Sequence, residues 1–156
     1  MGGGQAYLAI WLDLYSRRIV GWCVDDNMED ALILVPLRTA LQRRQPATRL
    51  VVHSDWGGQY TSNEVQKLVS LWRIRPGMSR ADDPYDNAFS EPFWSGLKAE
   101  LLEGGCFLSA DDARTEVFEY IECCYNRVRK HPSLGYRSPE HVDNEYRTKI
   151  VSCVCR

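Results

Sequence analysis

Apolar residues dominate positions 6–15, Ala-Tyr-Leu-Ala-Ile-Trp-Leu-Asp-Leu-Tyr, a run of strand length rich in aromatic side chains. Ser16-Arg17-Arg18 breaks it, and Ile19 to Val24 forms a second apolar run. Two such runs joined by a short polar link predict an antiparallel hairpin at the start of a sheet. The period then changes. Over residues 29–44, Leu32, Val35, Leu37, Ala40 and Leu41 form a helical stripe with a basic end. Pro36 lies inside that stretch, which predicts a kink or a helix beginning there. Leu50-Val51-Val52 is a short strand leading into His53-Ser54-Asp55.

Thr61 and Glu64 have capping-box spacing and open a helix to about Trp72. A further short strand is expected around Ile74, and residues 80–87 have loop composition. A helix is expected over 88–102, and a longer one from Ser109, as N-cap, to Arg127. Ser138-Pro139-Glu140 opens another, with serine as cap and proline in the first turn. The last ten residues carry no clear pattern. Hairpin strands followed by alternating helices and strands indicate an α/β domain with a mixed sheet.

Composition narrows the class. A chain of 156 residues suits one domain with one core. No apolar run reaches the ~20 residues needed to span a bilayer, and the start has no signal-peptide pattern, so a cytoplasmic protein without membrane contact is expected. Six cysteines without a Cys-x-x-Cys pair are expected as reduced thiols rather than a disulfide framework or a zinc site. The formal net charge of -2 does not itself point to nucleic acid. Basic residues nevertheless cluster at Arg38, Arg43, Arg44 and Arg49, at Arg73, Arg75 and Arg80, and at Arg127, Arg129, Lys130 and Arg137. Charge alone favours a mixed, solvated surface.

Two carboxylates stand out. Asp55 follows a short apolar strand and precedes Trp56-Gly57-Gly58-Gln59; functional residues of α/β sheets collect past the carboxyl ends of strands. Glu91 lies near a helix start among Phe89, Phe93, Trp94 and Leu97, and Lys98, two helical turns on, shares its face. Taken singly, the first reads as a turn aspartate and the second as a helix-dipole glutamate.

Together they form a pattern, with 35 residues standing between Asp55 and Glu91. The block from His53 to Ser62 resembles that around the second aspartate of insertion-sequence transposases related to retroviral integrases. Pro84 to Glu91 resembles their glutamate block, and Lys98 matches the basic residue seven positions later. Residues 7–22 resemble the family's first hairpin. Tyr125-Asn126-Arg127, His131 to Tyr136 and Ser138-Pro139-Glu140 resemble its C-terminal end. The resemblance covers residues 6–146, expected as one integrase-like catalytic core, with 147–156 as an unassigned tail.

The resemblance implies an RNase H-like fold, with a mixed five-stranded sheet flanked by helices and the opening strand partly or wholly missing. It implies DNA cleavage and strand transfer by divalent-metal-dependent phosphoryl transfer. Two Mg²⁺ or Mn²⁺ ions about 4 Å apart activate the attacking oxygen and stabilise the leaving one, and carboxylates suit such hard cations. Asp55 and Glu91 match two of three metal-binding, catalytic carboxylates. DNA contacts are expected from Lys98, Arg127, Arg129 and Lys130. Transposon ends and target DNA are the expected partners, with self-association of the full protein.

The chain departs from the family in four places. The strand bearing the first aspartate has no match; Asp13, the only early acid, matches a hairpin residue. Trp56 stands where arginine is common. Pro92 follows Glu91 directly, so either the helix begins near Ser90 or Glu91 is displaced. No helix-turn-helix resembling the family's end-recognition region is present. A complete active site is therefore not expected from this chain alone. The alternative is a catalytically dead remnant that only binds DNA or pairs with intact transposase. A third reading, a nuclease for RNA–DNA hybrids, fits the 35-residue spacing and C-terminal block less well.

Overall fold

The computed structural model describes residues 5–46, 50–54, 62–78, 88–101 and 107–154. Strands β1 (Tyr7–Leu12) and β2 (Ile19–Asp25) form the expected antiparallel hairpin. β1 ends earlier than its apolar run because Asp13 closes the turn: its Oδ1 accepts from the backbone N–H of Tyr15 at 2.8 Å and of Ser16 at 3.1 Å. Leu14 and Tyr15 are left exposed at the tip.

Alternation along β1 assigns its two faces. Tyr7, Ala9 and Trp11 pack into one apolar cluster, and Leu8, Ile10 and Leu12 into another. The first cluster joins the hairpin to α1 (Asp30–Arg44) and α2 (Asn63–Leu71). The second joins it to α3 (Glu91–Leu101), α4 (Ala110–Phe118) and the π-helical turn Glu119–Tyr125 that prolongs α4. The hairpin thus forms the middle of three layers. The pairing shifts between Trp11 and Leu12, so that Gly21 and then Ile19 are their partners and Val20 is bulged. The bulge turns Ile19 onto the same face as Trp22 and Val24.

Helix α1 starts at Asp30 and runs through Pro36, which is buried. Its core face is Leu32, Ile33, Leu34, Leu37, Ala40 and Leu41, whereas Val35, expected in the stripe, is exposed. Gly21 explains the fit: a Cβ there would lie 2.1 Å from the Pro36 carbonyl oxygen, so only glycine allows the helix to sit this close to the strand.

β3 (Val51–Ser54) and β4 (Arg75–Met78) pair in parallel through α2, as a helical crossover requires. The α2 cap is Ser62, whose Oγ accepts from the Val65 N–H; Thr61, the expected cap, lies outside the described residues. Among those residues the four strands form two separate pairs, β1–β2 and β3–β4, rather than one continuous sheet.

Ser109 caps α4 as expected. The π-helical segment was not expected. Its wider turn, closed by the Asn126 N–H to the Ile121 carbonyl at 2.9 Å, puts Tyr120, Ile121 and Tyr125 all into the core. A 3₁₀ turn at Pro132–Leu134 leads to α5 (Pro139–Val154), capped by Ser138 and continuing through residues for which no element was expected. Among the described residues no helix is long and apolar enough to cross a membrane.

Candidate active site and nucleic-acid interface

Glu91 is the first residue of α3, and Pro92 occupies the second position. The backbone N–H groups of Phe93 and Trp94 both donate to the Ser90 carbonyl at 3.1 Å. Pro92 therefore sits in the first turn, where its missing N–H has no helical partner to lose. Phe93, fully buried, and Leu97 anchor α3 in the core. The same amphipathic geometry leaves Glu91 and Lys98 exposed, with neither ion-paired nor hydrogen-bonded among the described residues.

Asp55 follows the last residue of β3 and lies outside the described residues, as do 79–87. Because β3 and β4 are parallel with Ser54 opposite Met78, the chain leaves both strands at one edge, the place where α/β sheets carry their sites. A Cβ on Gly77 would lie 2.7 Å from the His53 ring, so any side chain there would have to displace the imidazole.

The start of α3 is held by the hairpin turn. Arg17 Nη1 donates to the Phe89 carbonyl at 3.3 Å, and its guanidinium lies 4.5 Å above the Phe89 ring. Arg17 adopts φ 60° to do so. Nearby, burial pushes the Tyr125 phenol up to about 12, reinforced by neighbouring Tyr120. Burial, with the charges of Arg129 and Arg17, holds His131 below its usual value. The His131 ring packs edge-on against Tyr125 at 5.0 Å, and its buried Nε2 has no hydrogen-bond partner.

The basic group divides by geometry. Lys130 is exposed without an ion pair among the described residues, and Arg127 is exposed with its Nε 3.6 Å from Glu140. Arg129 instead braces α3: it pairs with Glu100 at 2.7 Å and donates to the Tyr120 hydroxyl at 2.6 Å. It crosses α3 at Gly96, where a Cβ would lie 2.4 Å from Nη1. Asp13 is similarly committed, since one oxygen closes the turn and the other lies 2.9 Å from Arg44 Nη2.

Two buried polar side chains hold the later helical segments to the hairpin: Asn126, at the end of the π-helical segment, and Asp143, in α5. Asn126, fully buried, accepts from the Ile19 N–H at 2.9 Å and donates to the Ile19 carbonyl at 3.1 Å, next to the bulge. Asp143, also buried, pairs with Arg18 at 2.9 Å and with Arg44. Nothing local marks either as buried: Asp143 lies among Glu140, Asn144 and Glu145, and Asn126 is followed by Arg127.

Solved structures with this arrangement include retroviral integrase catalytic cores. The match to a simian T-cell lymphotropic virus intasome, solved in complex with a PP2A regulatory subunit, has TM-score 0.66 at 15% identity and covers 86% of this chain and 47% of that one. The HTLV-2 integrase catalytic core domain, in complex with magnesium, gives TM-score 0.59 at 14% identity, covering 86% and 82%. The BIV integrase catalytic core gives 0.59 at 19%, covering 96% and 99%. The likeness defines an RNase H-like fold. Family models described as integrase core domain match residues 1–84 and 59–139, and the chain belongs to that family. Within it the chain groups with insertion-sequence transposases. It is 40% identical over 140 residues to the transposase for element IS904 of Lactococcus lactis, covering 90% of this chain and 55% of that protein. It is 41% identical over 142 residues to transposase InsF for IS3A of Escherichia coli, covering 91% and 49%. The chain spans about half the length of these curated relatives.

Proposed function

We propose that this chain forms the catalytic core with which an insertion-sequence transposase cuts and joins DNA in the cytoplasm by divalent-metal-dependent phosphoryl transfer. The observation that carries the reading is Glu91 in the first turn of α3, exposed and unengaged, with Lys98 exposed two turns further on. An uncommitted carboxylate oxygen suits a hard cation such as Mg²⁺ or Mn²⁺. Asp55 and Glu91 would hold such ions, which when bound would polarise the scissile phosphodiester and activate its attacking oxygen. Lys98 would neutralise a DNA phosphate beside them, with Lys130 and Arg127 extending the contact and Arg129 holding α3 in place. Joining two transposon ends to a target requires self-association of the whole protein.

Only two acids of this chain match the family's three, and Asp13 is already bound to the turn and to Arg44. The chain by itself is therefore expected not to cut DNA. Its measurable properties are then those of a DNA-binding remnant: weak metal affinity and salt-sensitive duplex binding. The test is a labelled duplex carrying the element's terminal repeat, incubated with Mn²⁺. The chain alone should leave it intact, and adding a preceding segment with an aspartate-bearing strand should permit cutting that Glu91→Gln abolishes. Cutting by the chain alone, lost in Asp13→Asn, would overturn the assignment of the carboxylates.

A further inference from the structure

Where β2 begins, the end of α1 and the first half of α5 meet it around a cleft of about 270 Å³. Four guanidinium groups line this cleft, from Arg18, Arg43, Arg44 and Arg147, with a single carboxylate, that of Asp143. Asp143 is 2% exposed, and each of its oxygens is taken, Oδ2 by Arg18 and Oδ1 by Arg44. Its charge is therefore neutralised, and its effect is to fix two guanidinium planes in the cleft wall.

The remaining donors are held by longer or poorly aligned ion pairs, among them Arg18 Nη2 at 3.5 Å from Glu140. Arg44 Nη2 is buried and makes no hydrogen bond, although it lies 2.9 Å from Asp13 Oδ2. Arg43 reaches Glu122 only at 3.6 Å and Arg147 reaches Asp143 only at 3.5 Å, both beyond good hydrogen-bond range. Arg43 and Arg147 are more than half accessible. The Arg43 and Arg147 guanidinium groups, accessible and only loosely paired, can turn their N–H groups to the oxygens of a phosphate in the cleft.

We propose that the cleft binds a phosphate group of the DNA backbone, a second contact separate from Glu91 and Lys98. Arg18, which lines it, follows Arg17, which holds Phe89 near Glu91. One hairpin turn thus serves both places. Only the nature of the ligand rests on the reading of the chain as DNA-acting; the anion site rests on the arginines themselves.

The test uses the whole chain without divalent metal, at matched ionic strength. Inorganic phosphate should raise the melting temperature of the wild type. It should not raise that of Arg43→Gln/Arg147→Gln, which leaves the Asp143–Arg18–Arg44 core in place. Duplex DNA affinity should fall roughly tenfold in this double variant, with a shallower salt dependence. Both readouts are taken without divalent metal, so a failure of the metal chemistry and a failure of this site are told apart. Unchanged phosphate response and duplex affinity in the double variant would overturn the site. A lost phosphate response with unchanged duplex affinity would show a free-anion site and overturn the DNA assignment.

Discussion

Arg17 and Phe89 are 72 residues apart in sequence, yet the guanidinium of one lies 4.5 Å over the ring of the other and donates to its carbonyl. Phe89 is two residues before Glu91, so the hairpin turn sets where the helix carrying the glutamate begins. Removing the side chain should loosen Glu91 and weaken Mn²⁺ binding about tenfold, as loss of an outer supporting contact does. Arg17→Ala and Arg17→Gly separate this from backbone effects. Alanine at φ 60° is strained and should be about 1 kcal/mol less stable than glycine there. The two should lose metal affinity alike. Metal affinity that instead tracks thermal stability would contradict the positioning role.

Asn126→Ala should be among the most destabilising substitutions outside the aromatic core. It removes both hydrogen bonds to Ile19 and leaves a buried backbone N–H and carbonyl unpaired, at about 1–3 kcal/mol each. Denaturant unfolding checks it; a loss below about 1 kcal/mol would show that water replaces the side chain.

His131 predicts a pH dependence. Its folded value is lowered, first by burial and then by Arg129 and Arg17, so the unfolded chain binds its proton more readily. Stability attributable to His131 is present at neutral pH and above. It is lost as pH falls below the unfolded value of about 6.5 toward the lower folded one. The protonated ring would leave an N–H at the buried Nε2 without a partner. Unfolding measured at pH 7.5 and pH 5.5 should show a smaller acid-side loss in His131→Gln than in the wild type. Parallel losses would exclude His131 as a contributor.

Much of this was legible because the periodicities are local. Tyr7 to Leu12 face two clusters alternately because a strand has period two, and Ser109, Ser138 and Pro139 cap helices by short-range chemistry. Pro92 stated its alternatives in sequence, and the Ser90 carbonyl's two hydrogen bonds decide between them. What failed depended on partners distant in the chain. Val35 looked like stripe and is exposed, because Gly21 lets α1 approach through Pro36 instead. The π turn exists because three aromatic and aliphatic residues share one core, and α5 runs on through residues with no pattern of their own. Asp143 gave no sign that Arg18 and Arg44, over 90 residues earlier, would surround it. Of the candidate site, Glu91, Lys98 and the basic group are placed, while Asp55 lies outside the described residues.

The central claim is that Asp55 and Glu91 together hold a divalent cation. Mn²⁺ affinity measured on the wild type, Asp55→Asn and Glu91→Gln, each checked for an unchanged melting temperature, tests it most directly. Both substitutions should weaken binding by about tenfold, and the double variant should be little worse than either, because each removes a charged ligand from one shared site. Equal Mn²⁺ affinity in the wild type and either single variant would contradict the account.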